Sequence, residues 1–293
     1  MQGSAWGAVS TAFIADATPI ALTAHTRSRY AYGPLIEQAL NGFTNTSWTK
    51  MNGPDAYFGG GAEQFIAGSG SYLGKDYYQE FAKKGYSISL NKTALLSASN
   101  SSKALGIFCT SNLPVWIDRN VFSDNLKNFN NDPTGVKAPA TDLPGLKEMT
   151  LKAIDVLHTR GGDKGFFLMA EAASIDKQMH VLDYDRALGD LLELDDTVRA
   201  TIAKLEALGE LEETLIVVSA DHGHGFGRIS HIPFSSPPTA CMHEINPVPL
   251  TRCLRKRRYQ VPVRAEGRPQ EAQRCWRLPE LGSLPVHNGA ARH

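Results

Sequence analysis

Three short apolar segments, each followed directly by an acidic residue, are the feature that most restricts the fold of this chain. They are GAVSTAFIA at 7–15, GFFLMA at 165–170 and TLIVVSA at 214–220. Apolar runs of this length predict buried strands, and the third, apolar almost throughout, predicts a strand that is covered on both faces.

Helical patterns lie between the predicted strands. Thr18 is a suitable N-cap for a helix with Pro19 at its first position. Residues 191–208 predict an amphipathic helix that ends at Gly209. Its apolar face consists of Leu194, Val198, Ile202, Leu205 and Leu208. Strands that alternate with helices predict an α/β fold with a mostly parallel sheet.

Each predicted strand is followed by polar side chains of a kind that binds metal ions. In open α/β sheets, ligands bind at the carboxyl edge of the strands, so these side chains are candidates for one shared site. Imidazoles and carboxylates suit zinc, and oxygen-rich groups suit magnesium. The residues that follow the three strands are, in order, Asp16 and Thr18, then Glu171, Asp176 and His180, then Asp221, His222 and His224.

Simpler explanations exist for each group of polar residues taken alone. Asp176 and His180, four residues apart, could form a solvated face of a helix. The DHG that begins at Asp221 could be a turn, Asp16 could be only a helix cap, and Lys177 could be an ordinary surface lysine. The hypothesis of a metal site depends on all three groups occurring together.

The net charge of zero conceals two regions of different composition. Residues 1–227 contain 19 Lys and Arg against 26 Asp and Glu, whereas residues 228–293 contain 11 against 4. The second region also holds nine of the sixteen prolines and three of the four cysteines, without a zinc-binding spacing. We therefore predict a folded domain at 1–227 and an irregular tail at 228–293. The basic run RCLRKRR at 252–258 is the only indication of nucleic-acid binding, and we expect none.

Four motifs resemble those of alkaline phosphatases, in the family's order and with similar spacing. They are ADATPIALTAHTRSR, YFGGGAEQF, FFLMAEAASIDKQMH and TLIVVSADHGHG, and the resemblance extends over about residues 6–226. It implies a three-layer α/β/α sandwich and the hydrolysis of phosphate monoesters with two zinc ions and one magnesium ion. A phosphoglycerate-mutase-like or sulfatase-like enzyme is a more distant alternative, because DHG after a strand also occurs there.

The resemblance also implies a role for individual residues. Asp176 and His180 match ligands of the zinc that activates water, and Asp221 and His222 match ligands of a second zinc. Glu171 and Thr18 match magnesium ligands. Three residues match the phosphate site: Arg29 as the phosphate clamp, and the pair Asp16 and Lys177, which tunes the phosphate and magnesium sites.

Three parts of the family pattern have no counterpart in this sequence. They are the nucleophilic serine in an Asp-Ser-Ala context, the aspartate that bridges the second zinc and the magnesium, and the last zinc-binding histidine. We therefore expect impaired phosphatase activity from these 293 residues. The alternative is a pseudoenzyme that serves in binding or dimerisation, although the retained ligands argue against it.

Short motifs and the family resemblance bear on location and oligomeric state. Residues 1–24 imitate a signal peptide, but we interpret them as strand and helix. Three sequons, at Asn45, Asn91 and Asn100, suit a glycoprotein of a secretory, vacuolar or extracellular compartment. The family resemblance implies a homodimer, and no apolar run is long enough to span a membrane.

Overall fold

The computed structural model describes residues 4–42, 51–224 and 252–254 of the chain. The chain divides into two units, Met1–Cys253 and Leu254–His293, and the central sheet belongs to the first. The predicted boundary between residues 227 and 228 and most of the predicted tail lie outside the described residues, as does Asn45.

A five-stranded parallel sheet forms the centre of the fold, with strand order β3-β4-β2-β1-β5. Most residues of β1 and all of β2 are buried, as expected for apolar strands with layers on both sides. The strands are β1 (Ala5–Phe13), β2 (Ala56–Gly60), β3 (Tyr86–Ser89), β4 (Lys103–Ile107) and β5 (Phe166–Glu171). A separate two-stranded sheet pairs β6 (Ile216–Val218) with β7 (Arg252–Leu254).

Eight α-helices surround the sheet in the described residues. They are α1 (Ala17–Thr23), α2 (Tyr32–Asn41), α3 (Tyr77–Lys83), α4 (Lys92–Ser97), α5 (Trp116–Asn120), α6 (Leu146–Gly161), α7 (Ser174–His180) and α8 (Tyr184–Leu208). Short 3₁₀ turns occupy Ala62–Gln64, Tyr72–Gly74, Ser123–Asn128 and Gly162–Lys164. No helix in the described ranges has both the length and the apolar character needed to cross a membrane.

Two hydrophobic cores cover the two faces of the sheet. Successive residues of a strand point to opposite faces, and accordingly Val9 and Phe58 belong to one core whereas Ala8 and Tyr57 belong to the other. The first core includes side chains of α4 and α6, and the second includes side chains of α1, α2 and α3. The predicted α/β/α sandwich with a mostly parallel sheet is therefore confirmed.

The first helix begins earlier than the sequence predicts. Its N-cap is Asp16 rather than Thr18, because the Asp16 carboxylate accepts a hydrogen bond from the Ala17 amide at 2.8 Å. Pro19 is then the third helical residue, still within the first turn, where its missing N–H costs no hydrogen bond. The helix ends at Thr23, since Ala24 is extended.

The prediction for residues 191–208 is confirmed in its register, although α8 begins earlier, at Tyr184. Leu205 is buried, and the other members of the predicted apolar face are partly buried. Gly209 ends the helix with a positive φ of 75°, a conformation that favours glycine.

The prediction of a third buried strand at 214–220 is wrong in two respects. β6 is only three residues long and pairs with β7 instead of joining the central sheet. Leu215 and Val217 are more than half exposed. The faces of this short strand are not covered by the described residues. The prediction that 165–170 is a buried strand is also wrong in part: the segment forms β5, but no residue of β5 is fully buried and Phe167 is 39% exposed. The reason is that β5 is the edge strand of the sheet within the described part of the chain.

Candidate metal and phosphate site

Strands β1 and β5 bring the first two groups of predicted ligands together. The strands are adjacent and parallel, so their carboxyl ends lie at the same edge of the sheet. Their register places Ser10 directly opposite Glu171. Segments that are about 160 residues apart in the sequence therefore meet at one edge.

Glu171 is at the centre of an oxygen-rich cluster. Ser10 Oγ donates a hydrogen bond of 2.6 Å to Glu171 Oε2, and the Thr18 side chain also hydrogen-bonds to this carboxylate. Burial raises the pKa of Glu171, and these two hydrogen bonds offset only part of the effect. A buried carboxylate next to hydroxyl oxygens suits a hard cation such as magnesium, which would favour the ionised form.

Asp16 connects the two predicted phosphate-site cations. Its Oδ1 accepts a hydrogen bond from Arg29 Nη2 at 3.0 Å, and its Oδ2 accepts one from Lys177 Nζ at 2.7 Å. Burial alone would raise the pKa of Asp16, but the hydrogen bonds from Lys177 and the Ala17 amide and the Lys177 charge together lower it. Asp16 is therefore an ionised group that orients two cations.

Helix α7 carries the next pair of predicted ligands. Asp176 and His180 are one helical turn apart, and His180 Nε2 lies 3.4 Å from Asp176 Oδ2. His224, from the segment after β6, approaches the same carboxylate, with its Nε2 3.2 Å from Asp176 Oδ1. The ligand atoms of the three residues lie within 4.8 Å of one another.

Asp221 and His222 lie beside this cluster and are more exposed. His222 Nε2 is 3.4 Å from Asp221 Oδ2 and 3.8 Å from Asp176 Oδ1. His222 Nδ1 faces the Gly223 carbonyl oxygen at 2.9 Å, and because a carbonyl can only accept, this nitrogen carries the proton. That hydrogen bond and the Asp221 charge raise the pKa of His222. The tautomer leaves Nε2 as the nitrogen that can bind a metal ion.

The donor set fits zinc and magnesium. Zinc binds imidazole nitrogen and carboxylate oxygen, both of which the cluster provides. Asp176 Oδ1 is buried and accepts no hydrogen bond in the described part of the chain, a costly arrangement unless a cation compensates it. Glu171 and the hydroxyls around it supply the all-oxygen environment of a magnesium site.

The structure brings all nine predicted residues to the same region, and it adds two that the prediction did not assign. Ser10 hydrogen-bonds to Glu171, but nothing in GAVSTAFIA distinguishes it from the other small residues of the strand. His224 is part of the DHGH motif, but nothing in that motif favours it over His222 as a neighbour of Asp176.

The chain is a parallel α/β/α sandwich with acids and imidazoles at the carboxyl edge of its sheet. By this architecture it belongs to the class of α/β proteins that bind ligands at the carboxyl edge of an open sheet. Comparison with known proteins assigns the chain within this class. The family model described as alkaline phosphatase matches residues 1–253. The chain belongs to the alkaline phosphatase family.

Individual relatives agree with this assignment. Alkaline phosphatase H of Pseudomonas aeruginosa is 35% identical over 243 residues, covering 76% of this chain and 49% of the relative. Streptomycin-6-phosphate phosphatase of Streptomyces griseus is 34% identical over 246 residues, covering 78% and 54%. The crystal structure of Thermus thermophilus alkaline phosphatase matches with a TM-score of 0.62 and 28% identity, covering 76% of this chain and 40% of that one. The chain thus spans about half the length of the curated relatives it matches.

Proposed function

We propose that this chain carries the metal and phosphate site of a phosphomonoesterase, which hydrolyses phosphate monoesters to an alcohol and inorganic phosphate. The observation that carries the proposal is the convergence of three chain segments at the carboxyl edge of the sheet. One segment supplies Asp16, one supplies Glu171 and α7, and one supplies His224. Membership of the alkaline phosphatase family supports the same reaction.

The proposed metal ligands follow the groups described above. Asp176 and His180 would hold one zinc, and Asp221 and His222 would hold a second. Glu171 and Thr18 would hold magnesium, and Ser10 would orient the Glu171 carboxylate. When bound, the metal ions would neutralise the charge of the phosphate and lower the pKa of the attacking oxygen.

Arg29 and Lys177 are the proposed phosphate-binding cations. A guanidinium has five N–H donors, and Arg29 uses Nη2 for Asp16 while its side chain remains 57% exposed. The planar guanidinium can therefore bind two phosphate oxygens while Asp16 holds its position. Lys177 lies between the two α7 ligands in sequence and adds a second positive charge.

We further propose that turnover by these 293 residues alone is slow. The side chains of His180, Asp221 and His222 are 68%, 68% and 56% exposed. Electrostatic stabilisation of a developing charge is much weaker in a hydrated site than in one that excludes water.

The test is hydrolysis of p-nitrophenyl phosphate by the purified 293-residue chain, at alkaline pH with zinc and magnesium. The matched control is Asp221→Asn, which removes a proposed zinc ligand with little change in size. Slow hydrolysis that the control abolishes is the expected result. Fast hydrolysis that the control abolishes would support the function and contradict the impairment. Hydrolysis that is the same in both proteins would contradict the assignment of Asp221.

The substrate, the assembly and the compartment belong to the same proposal. One relative is described as a phosphatase of streptomycin 6-phosphate, which is consistent with small phosphate monoesters as the substrate class. We propose a homodimer and a secretory, vacuolar or extracellular location with N-glycosylation. Of the sequon residues in the described ranges, Asn91 caps α4 and Asn100 accepts a hydrogen bond from Lys152.

A further inference from the structure

We infer that the rings of Phe13, Tyr32 and Tyr30 form a subsite for an aromatic ring carried by the alcohol part of the substrate. We call these three side chains the aromatic row. The inference rests on the proposed function, because the row adjoins Arg29 and Lys177, the proposed phosphate-binding cations. It extends that function by naming the substrate class, which is aryl phosphate monoesters.

The aromatic row connects the end of β1 with the start of α2. Phe13 is the last residue of β1, Tyr32 is the first residue of α2, and Tyr30 lies two residues before it. The ring centroids of Phe13 and Tyr32 are 5.1 Å apart, and the two rings are inclined by 84°. Those of Tyr32 and Tyr30 are 6.4 Å apart and inclined by 80°. Both pairs are edge-to-face contacts of the kind that aromatic rings prefer, so the three side chains form one continuous surface.

Both ends of the aromatic row adjoin the proposed phosphate-binding cations. Lys177 Nζ lies 5.7 Å from the centroid of the Phe13 ring, within the range of a cation–π contact. At the other end of the row, Tyr30 directly follows Arg29 in the chain. Arg29 and Lys177 are held together by Asp16, which accepts a hydrogen bond from each. A monoester bound through these two cations therefore has aromatic side chains next to its phosphate.

The aromatic row is open to solvent at the Tyr30 end. Tyr30 is 74% exposed, whereas Phe13 and Tyr32 are partly buried. A ring as exposed as that of Tyr30 buries little surface within the fold, so its packing contributes little to stability. It is instead available to a ligand, and burial of a ligand's ring against it removes apolar surface from water. Sites for small organic molecules typically combine such aromatic side chains with a few charged groups that fix the orientation of the ligand.

Local hydrogen bonds hold the turn that carries Arg29 and Tyr30. Thr26 Oγ1 accepts a 3.0 Å hydrogen bond from the Ser28 amide and donates one of 2.9 Å to the Ser28 carbonyl oxygen. The same carbonyl oxygen accepts a hydrogen bond of 3.2 Å from the Ala31 amide. The exposed ring is therefore attached to a structured turn. A ligand that binds there pays little for ordering the chain, which is the advantage of a preorganised site.

The competing explanation is that the aromatic row only packs α2 against β1 and supports Lys177. The two roles predict different results when the Tyr30 side chain is shortened. A packing role affects the binding of every phosphate-like ligand to the same extent. A role in substrate recognition affects only the ligands that carry an aromatic ring, since one aromatic contact increases affinity by about 2–10-fold.

The test compares two phosphonates that are not hydrolysed, so it does not depend on turnover. Phenylphosphonate carries an aromatic ring and methylphosphonate does not. Calorimetry would measure the binding of both to the full chain with zinc and magnesium, for wild type, Tyr30→Ala and Tyr30→Phe. Phe167→Ala is the control, because Phe167 is 39% exposed and lies near the amino end of β5, whereas Glu171 lies at the carboxyl end. Circular dichroism would confirm that each variant is folded.

We expect wild type to bind phenylphosphonate more tightly than methylphosphonate, and Tyr30→Ala to reduce this preference by about 2–10-fold. Tyr30→Phe and Phe167→Ala should retain the full preference. Three results would overturn the inference and leave the proposed phosphate site intact: no preference in wild type, an unchanged preference in Tyr30→Ala, or an equal loss of affinity for both phosphonates in that variant. If wild type binds neither phosphonate, the phosphate site of the proposed function fails and the inference fails with it.

Discussion

Glu193 holds three helices together, and its removal should strongly destabilise the fold. Its Oε2 accepts a 2.6 Å hydrogen bond from Arg119 of α5, and its Oε1 accepts one of 3.1 Å from the amide of Leu146, the first residue of α6. Both side chains of the Arg119–Glu193 ion pair are only 6% exposed. Glu193→Ala would therefore leave a buried guanidinium and a helix N-terminal N–H without their acceptor.

The size of the effect follows from this burial. Removal of one partner from a buried ion pair typically costs about 3–5 kcal/mol, much of it from the uncompensated charge that remains. Arg119 Nε keeps its 2.8 Å hydrogen bond to the Pro114 carbonyl, which favours the lower part of that range. A loss of about 3 kcal/mol in a domain of about 150–250 residues corresponds to a decrease in Tm of about 6–12 °C.

The assay is thermal and urea unfolding of the full chain, with Asp195→Ala as the control on the same helix. Asp195 pairs with Arg199, but their side chains are 59% and 75% exposed, so we expect its loss to cost less than about 0.5 kcal/mol. Glu193→Gln should cost less than Glu193→Ala, because the amide oxygen can still accept from Leu146. A double change, Arg119→Met with Glu193→Leu, should recover only the part of the loss that comes from the buried charge, because the Leu146 amide still lacks its acceptor. If Glu193→Ala and Asp195→Ala were equally stable, the reasoning from burial would be refuted.

Three further predictions concern Asp190, Ser10 and Lys177. Burial raises the pKa of Asp190 to about 7. The folded state thus holds this proton more tightly than the unfolded chain, and stability should fall as pH rises from about 4 to about 7. Asp190→Asn should make this decline in stability smaller. If the free energy of unfolding in urea changed with pH as steeply in Asp190→Asn as in the wild type, Asp190 would not be the group responsible. Ser10→Ala removes the hydrogen bond to Glu171, so we expect magnesium binding, measured by calorimetry, to become about 10–100-fold weaker. Unaltered magnesium binding would exclude a role for Ser10. Lys177→Ala should weaken the inhibition of hydrolysis by inorganic phosphate by about tenfold, whereas Lys147→Ala should leave this inhibition unchanged. Equal inhibition of the two variants would argue against a contact between Lys177 and phosphate.

The architecture was largely predictable from the sequence because local patterns reflect burial. The apolar run at 7–15 became the buried strand β1, and the run at 165–170 became β5, which is an edge strand and only partly buried. The periodicity of 191–208 predicted the partly buried face of α8. The run at 214–220 has a similar composition but forms a short strand outside the central sheet. Composition shows that a segment can form a strand, but the available neighbours decide which sheet it joins.

For the candidate site, too, some features follow from the sequence and others only from the tertiary structure. The sequence by itself determined the inventory of acids, imidazoles and cations, since strand ends and motif spacing are local features. Only the tertiary structure decided that Ser10 faces Glu171, that Asp16 binds both Lys177 and Arg29, and that His224 approaches Asp176 more closely than His222 does. Most of these contacts join residues that are far apart in the sequence. They depend on strand order, on register and on the path of the segment after β6, and no local pattern of residues specifies these.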